Sequence, residues 1–127
     1  MAGQLTIDTL KASSGVLATQ NGMTGIAKAW VNFAGASGTI NGSFNVSSVT
    51  RYATGDYTIT YSTALSNANY AVSGCVLYST SAADSGVVLG IKSNSGSVIL
   101  TTSVRIQTSF NSVLYDANTC MAQIVGT

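Results

Sequence analysis

Apolar and polar residues alternate at every second position through much of this chain, and the three-to-four spacing of a buried helix face is nearly absent. Asp56-Tyr-Thr-Ile-Thr-Tyr61 is the clearest stretch. Successive side chains of a strand point to opposite faces, so Tyr57, Ile59 and Tyr61 are predicted to share one face and Thr58 and Thr60 the other. Ser97 to Ile106 repeats the pattern, with Val98, Leu100, Val104 and Ile106 on one face. Tyr70 to Tyr78, Val87 to Lys92, Ala27 to Phe33, Phe44 to Arg51 and Thr119 to Val125 complete a set of seven or eight strands. Val76, Leu77 and Val87 to Leu89 read as buried on both sides.

Turn chemistry separates these runs. Asn41-Gly42, Ala53-Thr-Gly-Asp56 and Asn94-Ser-Gly96 all carry residues that tolerate tight or left-handed backbone, and the last two read as hairpins. Gly35-Ala-Ser-Gly38 is a further turn, and Ser62 to Asn69 reads as a loop. Regularly spaced strands of this kind predict an all-β, antiparallel β-sandwich or jelly roll over residues 27–127. The length is that of one domain, which buries about two-thirds of its unfolded surface. Residues 1–26 differ: Leu5-Thr-Ile-Asp-Thr-Leu10 could make a short strand, but Ser13-Ser-Gly15 and Asn21-Gly-Met-Thr-Gly25 break the chain twice. They read as an extended N-terminal arm that needs a surface to lie on, because it holds too little apolar area to offset its own ordering entropy. Leu5, Ile7, Leu10, Val16 and Leu17 are its candidate partner-binding residues.

Charge narrows the chemistry. The 127 residues include five cations and four acids, with no His, no Glu and no Pro. Polarity comes from Ser, Thr, Asn and Gly, so few charges guard the strand edges against pairing with other molecules. The cations Lys11, Lys28, Arg51, Lys92 and Arg105 stand singly, and a net charge of +1 offers no field for nucleic acid. No signal peptide is read at Met1 to Asp8, and runs such as Gly86-Val-Val-Leu-Gly-Ile91 are too short to span a bilayer.

Acid–base work would fall to Asp8, Asp56, Asp84 and Asp116, none of which lie at a local motif spacing. Asp56 and Asp84 read as loop residues; the competing reading is a paired-carboxylate glycosidase site assembled by the fold. No Ser-x-x-Lys, Gly-x-Ser-x-Gly, phosphate-loop or calcium-loop pattern occurs. Asn41-Gly-Ser43 and Asn45-Val-Ser47 match the glycosylation pattern, which has no use without secretion. Cys75 and Cys120 fit no metal spacing and read as buried thiols, with a disulfide between neighbouring strands as the alternative. No cofactor, metal or catalytic residue is expected, and the composition argues against an enzyme. The aromatics read as core and interface residues, with Trp30 as a core anchor; the alternative is a carbohydrate-stacking surface.

Residues 28 to 72 also carry an ordered series: Lys28-Ala-Trp-Val-Asn-Phe33, Gly38-Thr-Ile40, Ser43-Phe-Asn-Val-Ser-Ser-Val-Thr50, Thr54-Gly-Asp-Tyr-Thr-Ile-Thr60 and Ala68-Asn-Tyr-Ala-Val72. This series resembles a β-rich module of tail-fibre, head-fibre and small virion structural proteins of tailed bacteriophages. Leu5 to Lys11 is similar to segments that begin many such fibre proteins. The chain departs from the module at Ala64-Leu65-Ser66, where a Pro is expected, and after Ser73 it shares only the alternation. The resemblance implies a homotrimer located in the virion, assembled in the host cytoplasm, and no catalytic residues. Two roles follow as expectations. One is a capsid decoration, cement or head-fibre protein whose arm binds the major capsid protein or another virion protein. The other is a receptor-binding tail-fibre tip that contacts host polysaccharide through loops such as Ser79 to Ser85 or Thr108 to Asn118. A depolymerase is the third and least supported reading.

Overall fold

A computed structural model describes residues 26–78, 86–93 and 97–126. It is an all-β sandwich of two antiparallel sheets, as the alternation predicts. The described strands are β1 (Ala27–Phe33), β2 (Ile40–Phe44), β3 (Val46–Ala53), β4 (Asp56–Tyr61), β5 (Ala71–Leu77), β6 (Val88–Ile91), β7 (Ser103–Phe110), β8 (Val113–Leu114) and β9 (Thr119–Val125). One sheet has the order β2-β1-β9-β5; the other has the order β3-β4-β7-β6, with β8 paired to the end of β7. The arm residues Leu5, Ile7, Leu10, Val16 and Leu17 lie outside the described residues, as do Asp8, Asp84, Ser79 to Ser85 and the Asn94-Ser-Gly96 turn.

The core lies between the sheets. β1 supplies Ala29, Val31 and Phe33, β9 supplies Cys120, Ala122 and Ile124, β4 supplies Tyr57, Ile59 and Tyr61, and β7 supplies Val104 and Ile106. Phe33 and Tyr57 meet edge to face across the gap, with ring centroids 5.1 Å apart. Fully burying one such side chain contributes about 1.5–3 kcal/mol, so this strict inward period two is the main reason the sheets pack.

The chain passes from one sheet to the other at Asn45. This residue takes a left-handed backbone (φ 54), which Asn adopts more readily than most side chains. Its amide donates to the Lys28 and Thr63 carbonyls and accepts the Thr63 N–H, which fixes the corner. The predicted run Phe44 to Arg51 is therefore divided between β2 and β3. Asn41-Gly42 is not a turn but lies inside β2; the reversal falls earlier, where Gly38 N–H donates to Ala34 O and Ala34 N–H to Thr39 O. The Ala53-Thr-Gly-Asp56 hairpin forms as read. At its turn Gly55 has φ +64, and a Cβ there would come 2.6 Å from the Thr108 carbonyl oxygen, so only glycine fits.

Other expectations are corrected. Ser97 to Ile106 is not one strand: it folds back at Thr101-Thr102, with Leu100 N–H donating to Ser103 O and Arg105 N–H to Val98 O. Leu100 is consequently exposed, away from Val104 and Ile106. Leu77 and Val88 are exposed rather than buried on both faces, because β5 and β6 are edge strands. Thr108 to Asn118 is not a free loop: Thr108 is fully buried at the end of β7, and β8 lies within the segment. Ser62 to Asn69 is a loop as read, pinned by Leu65, whose N–H donates to Thr101 O.

Candidate functional site

Two ion-pair clusters and an open groove stand outside the core among the described residues. The first is a clasp at Asp116, in the segment between β8 and β9. Arg51 of β3 donates to both of its carboxylate oxygens, from Nε at 3.0 Å and from Nη2 at 2.5 Å. The Gly55 N–H (2.9 Å) and the Tyr57 hydroxyl (2.8 Å) donate to Oδ1 as well. Burial alone would raise the Asp116 carboxyl; these donors outweigh it and hold the group below the usual carboxylate range. Tyr57 is pushed well above the ordinary tyrosine value, by burial first and by the carboxylate second.

A second ion pair lies on the outer face of the same sheet. Arg105 grips Asp56 through two bonds of 2.8 Å, and its guanidinium lies 4.6 Å from the centroid of the Tyr52 ring. Asp56 is thus the first residue of β4, buried and paired, not a loop residue. The Arg105 bonds lower its pKa. Arg51 and Arg105 are correspondingly partnered, not single charges. With both carboxyls fixed in the ionised form, neither Asp56 nor Asp116 is poised to exchange a proton near neutrality. No group of three or more metal-ligating side chains occurs among the described residues.

The third feature is the outer face of the β2-β1-β9-β5 sheet. The strand registers set two rows across it. One runs Phe44, Trp30, Gln123, Ser73; the next runs Gly42, Asn32, Met121, Cys75. Trp30 is 43% exposed on this face, so it is not the core anchor that the sequence suggests; its neighbours Ala29 and Val31 hold the inward positions. The ring leans towards β2 and packs beside Gly42, where a Cβ would make ordinary contact, 3.6 Å from both Cζ3 and Cη2 of the indole. On the other side of the ring an open groove of about 510 Å³ runs between Asn32, Ser73, Cys75, Met121 and Gln123. Asn41 donates to Asn32 Oδ1 (3.0 Å), and Gln123 Nε2 donates to Ser73 Oγ (3.1 Å). No charged residue lines the groove.

The cysteines also divide by face. Cys120 points into the core, where burial pushes its thiol up to about 12, while Cys75 is exposed in the groove. Cys120 stands opposite Val76 and Cys75 opposite Met121, so the two side chains point to opposite sides of the sheet. Both are free, which corrects the expectation that both are buried and removes the disulfide alternative. Composition could not find this groove; the signal that was available is the alternation around Trp30, which puts it on the face opposite Val31 and Phe33. Compared with protein-family models, curated proteins and solved structures, the chain matches none.

Proposed function

We propose that this chain is a structural component of a bacteriophage particle, a trimeric capsid decoration, cement or head-fibre protein held to the capsid by its N-terminal residues. The observation that carries the assembly role is the state of the sheet edges. Among the described residues, the edge strands β2 and β5 contain no charged residue, β6 has none before Lys92, whose N–H extends its ladder to Arg105 O, and the one charge on edge strand β3, Arg51, is committed to Asp116. Soluble monomers usually protect such edges with Lys, Pro or a covering element. Uncharged edges suit a protein whose edges meet other subunits, where unpaired charge would be costly to desolvate. The virion assignment rests on the sequence series of residues 28 to 72.

Sedimentation equilibrium tests the assembly role, with the mass of a trimer expected. A monomer that stays soluble at high concentration would overturn it. Adding the purified protein to capsids and to tails that lack it tests the location; binding to tails alone would reject the head assignment. A second reading, a tail-fibre tip that contacts host polysaccharide, is favoured by one specific observation, the uncharged groove beside Trp30.

A further inference from the structure

The groove on the β2-β1-β9-β5 sheet has the makings of a small-ligand site. Its volume of about 510 Å³ lies in the range of about 300–1,000 Å³ typical of such sites. Its side wall is the partly exposed indole ring of Trp30. Its floor mixes apolar atoms of Met121 and Cys75 with the amides of Asn32 and Gln123 and the hydroxyl of Ser73. Two of these polar groups are held by hydrogen bonds within the face. Asn32 Oδ1 accepts from Asn41, which leaves the Asn32 amide nitrogen as a donor; Gln123 gives one N–H to Ser73, which leaves its carbonyl oxygen as an acceptor. Holding polar groups before a ligand arrives lowers the ordering cost of binding.

The lining selects the ligand class. With no cation in the groove, a phosphate or carboxylate ligand gains no charge pairing; with no acid, an amine or metal ion gains none. A ligand with both a C–H face to lay on an aromatic ring and hydroxyls to give to amides fits what is present. We propose that this groove binds a neutral saccharide, one pyranose ring stacking on Trp30 while its hydroxyls bond to Asn32, Gln123 and Ser73. The inference rests on the host-polysaccharide reading above and gives that reading a site on the sheet face instead of the loops.

Trp30 is the single tryptophan of the chain, so its fluorescence reports on the groove directly. The whole protein is titrated with glucose, galactose, N-acetylglucosamine and the neutral disaccharides of each, with binding followed by Trp emission and by calorimetry. A saturable change with at least one of them is expected. Trp30→Ala, followed by calorimetry, is expected to abolish the heat of binding. Asn32→Ala and Gln123→Ala, which keep the fluorophore, should each weaken binding about tenfold, the loss of one ligand hydrogen bond of about 1–1.5 kcal/mol. Tyr52→Ala, on the opposite sheet, should change nothing. Absence of saturable binding across the panel overturns the site. Binding that persists unchanged in Trp30→Ala and Asn32→Ala also overturns it, while leaving the polysaccharide reading intact at another place. A Trp30→Ala protein that loses its oligomeric mass would instead make the groove an interface between copies, and would likewise overturn the proposal.

Discussion

The outer face of the β3-β4-β7-β6 sheet is closed by charge, whereas that of the β2-β1-β9-β5 sheet is left open. On the first, Arg105 lies between Asp56 and the Tyr52 ring, and at the rim Arg51, Tyr57 and Gly55 all converge on Asp116. On the second, the exposed groups are an indole, amides, a hydroxyl, a thioether and a thiol. Few charges are available to this chain; the Arg105–Asp56 pair joins β7 to β4, and the Arg51–Asp116 pair ties β3 to the segment that leads into β9. The difference is one of chemistry: the β3-β4-β7-β6 face carries an ion pair that holds the fold, and the groove on the other face is lined by uncharged groups.

The contrast breaks most visibly at Asp116. Asp116→Ala leaves Arg51, the Tyr57 hydroxyl and the Gly55 N–H without their common acceptor. A partly exposed cluster should cost less than a fully buried ion pair, so a loss of about 2–3 kcal/mol is expected in urea denaturation. A loss comparable to that of an ordinary surface substitution would show that the clasp does not hold the fold. Arg105→Ala should cost about 1–2 kcal/mol by leaving the Asp56 carboxylate buried without its partner.

Acid sharpens the same comparison. Both carboxyls are held below their unfolded values of about 3.9, so the stability they contribute is present above that pH and is lost as pH falls through the folded values. Stability should therefore drop below about pH 4, and the drop should shrink in an Asp56→Asn, Asp116→Asn double variant. On the open sheet, Trp30→Ala should cost about 1–2 kcal/mol, because the residue is 43% exposed and only its remaining surface is lost from packing. The smallest structural effect is expected from thiol labelling: at neutral pH a maleimide should modify Cys75 and spare buried Cys120, with no change in fold.

Period two was legible wherever one face of a strand was core. β1 and β9 fall on the predicted residues, and Tyr57, Ile59 and Tyr61 point inward as read. It was less informative where a strand changes sheet or reverses. Phe44 to Arg51 looks continuous because only Asn45, through its backbone and amide bonds, marks the corner. Ser97 to Ile106 keeps its alternation across a turn that lacks Gly, Pro and Asn. The candidate site was hidden for a different reason. Its polar floor comes from β1, β5 and β9, which register brings side by side from distant parts of the sequence. Trp30 looked like core because aromatic residues in strands usually are; its outward position between inward Ala29 and Val31 leaves it 43% exposed.

The pairing of β1 with β9 sets a condition on when this surface can exist. Val31 and Ala122 are partners at the middle of their sheet, although most of the sequence lies between them. Contacts this distant form late, after the entropy of closing the intervening chain has been met, while the β3–β4 hairpin forms locally. A growing chain can therefore hold its hairpin long before it owns a groove. A copy cut short before Met121 and Gln123 has no floor for a ligand, and only a finished domain would present the face to whatever it meets.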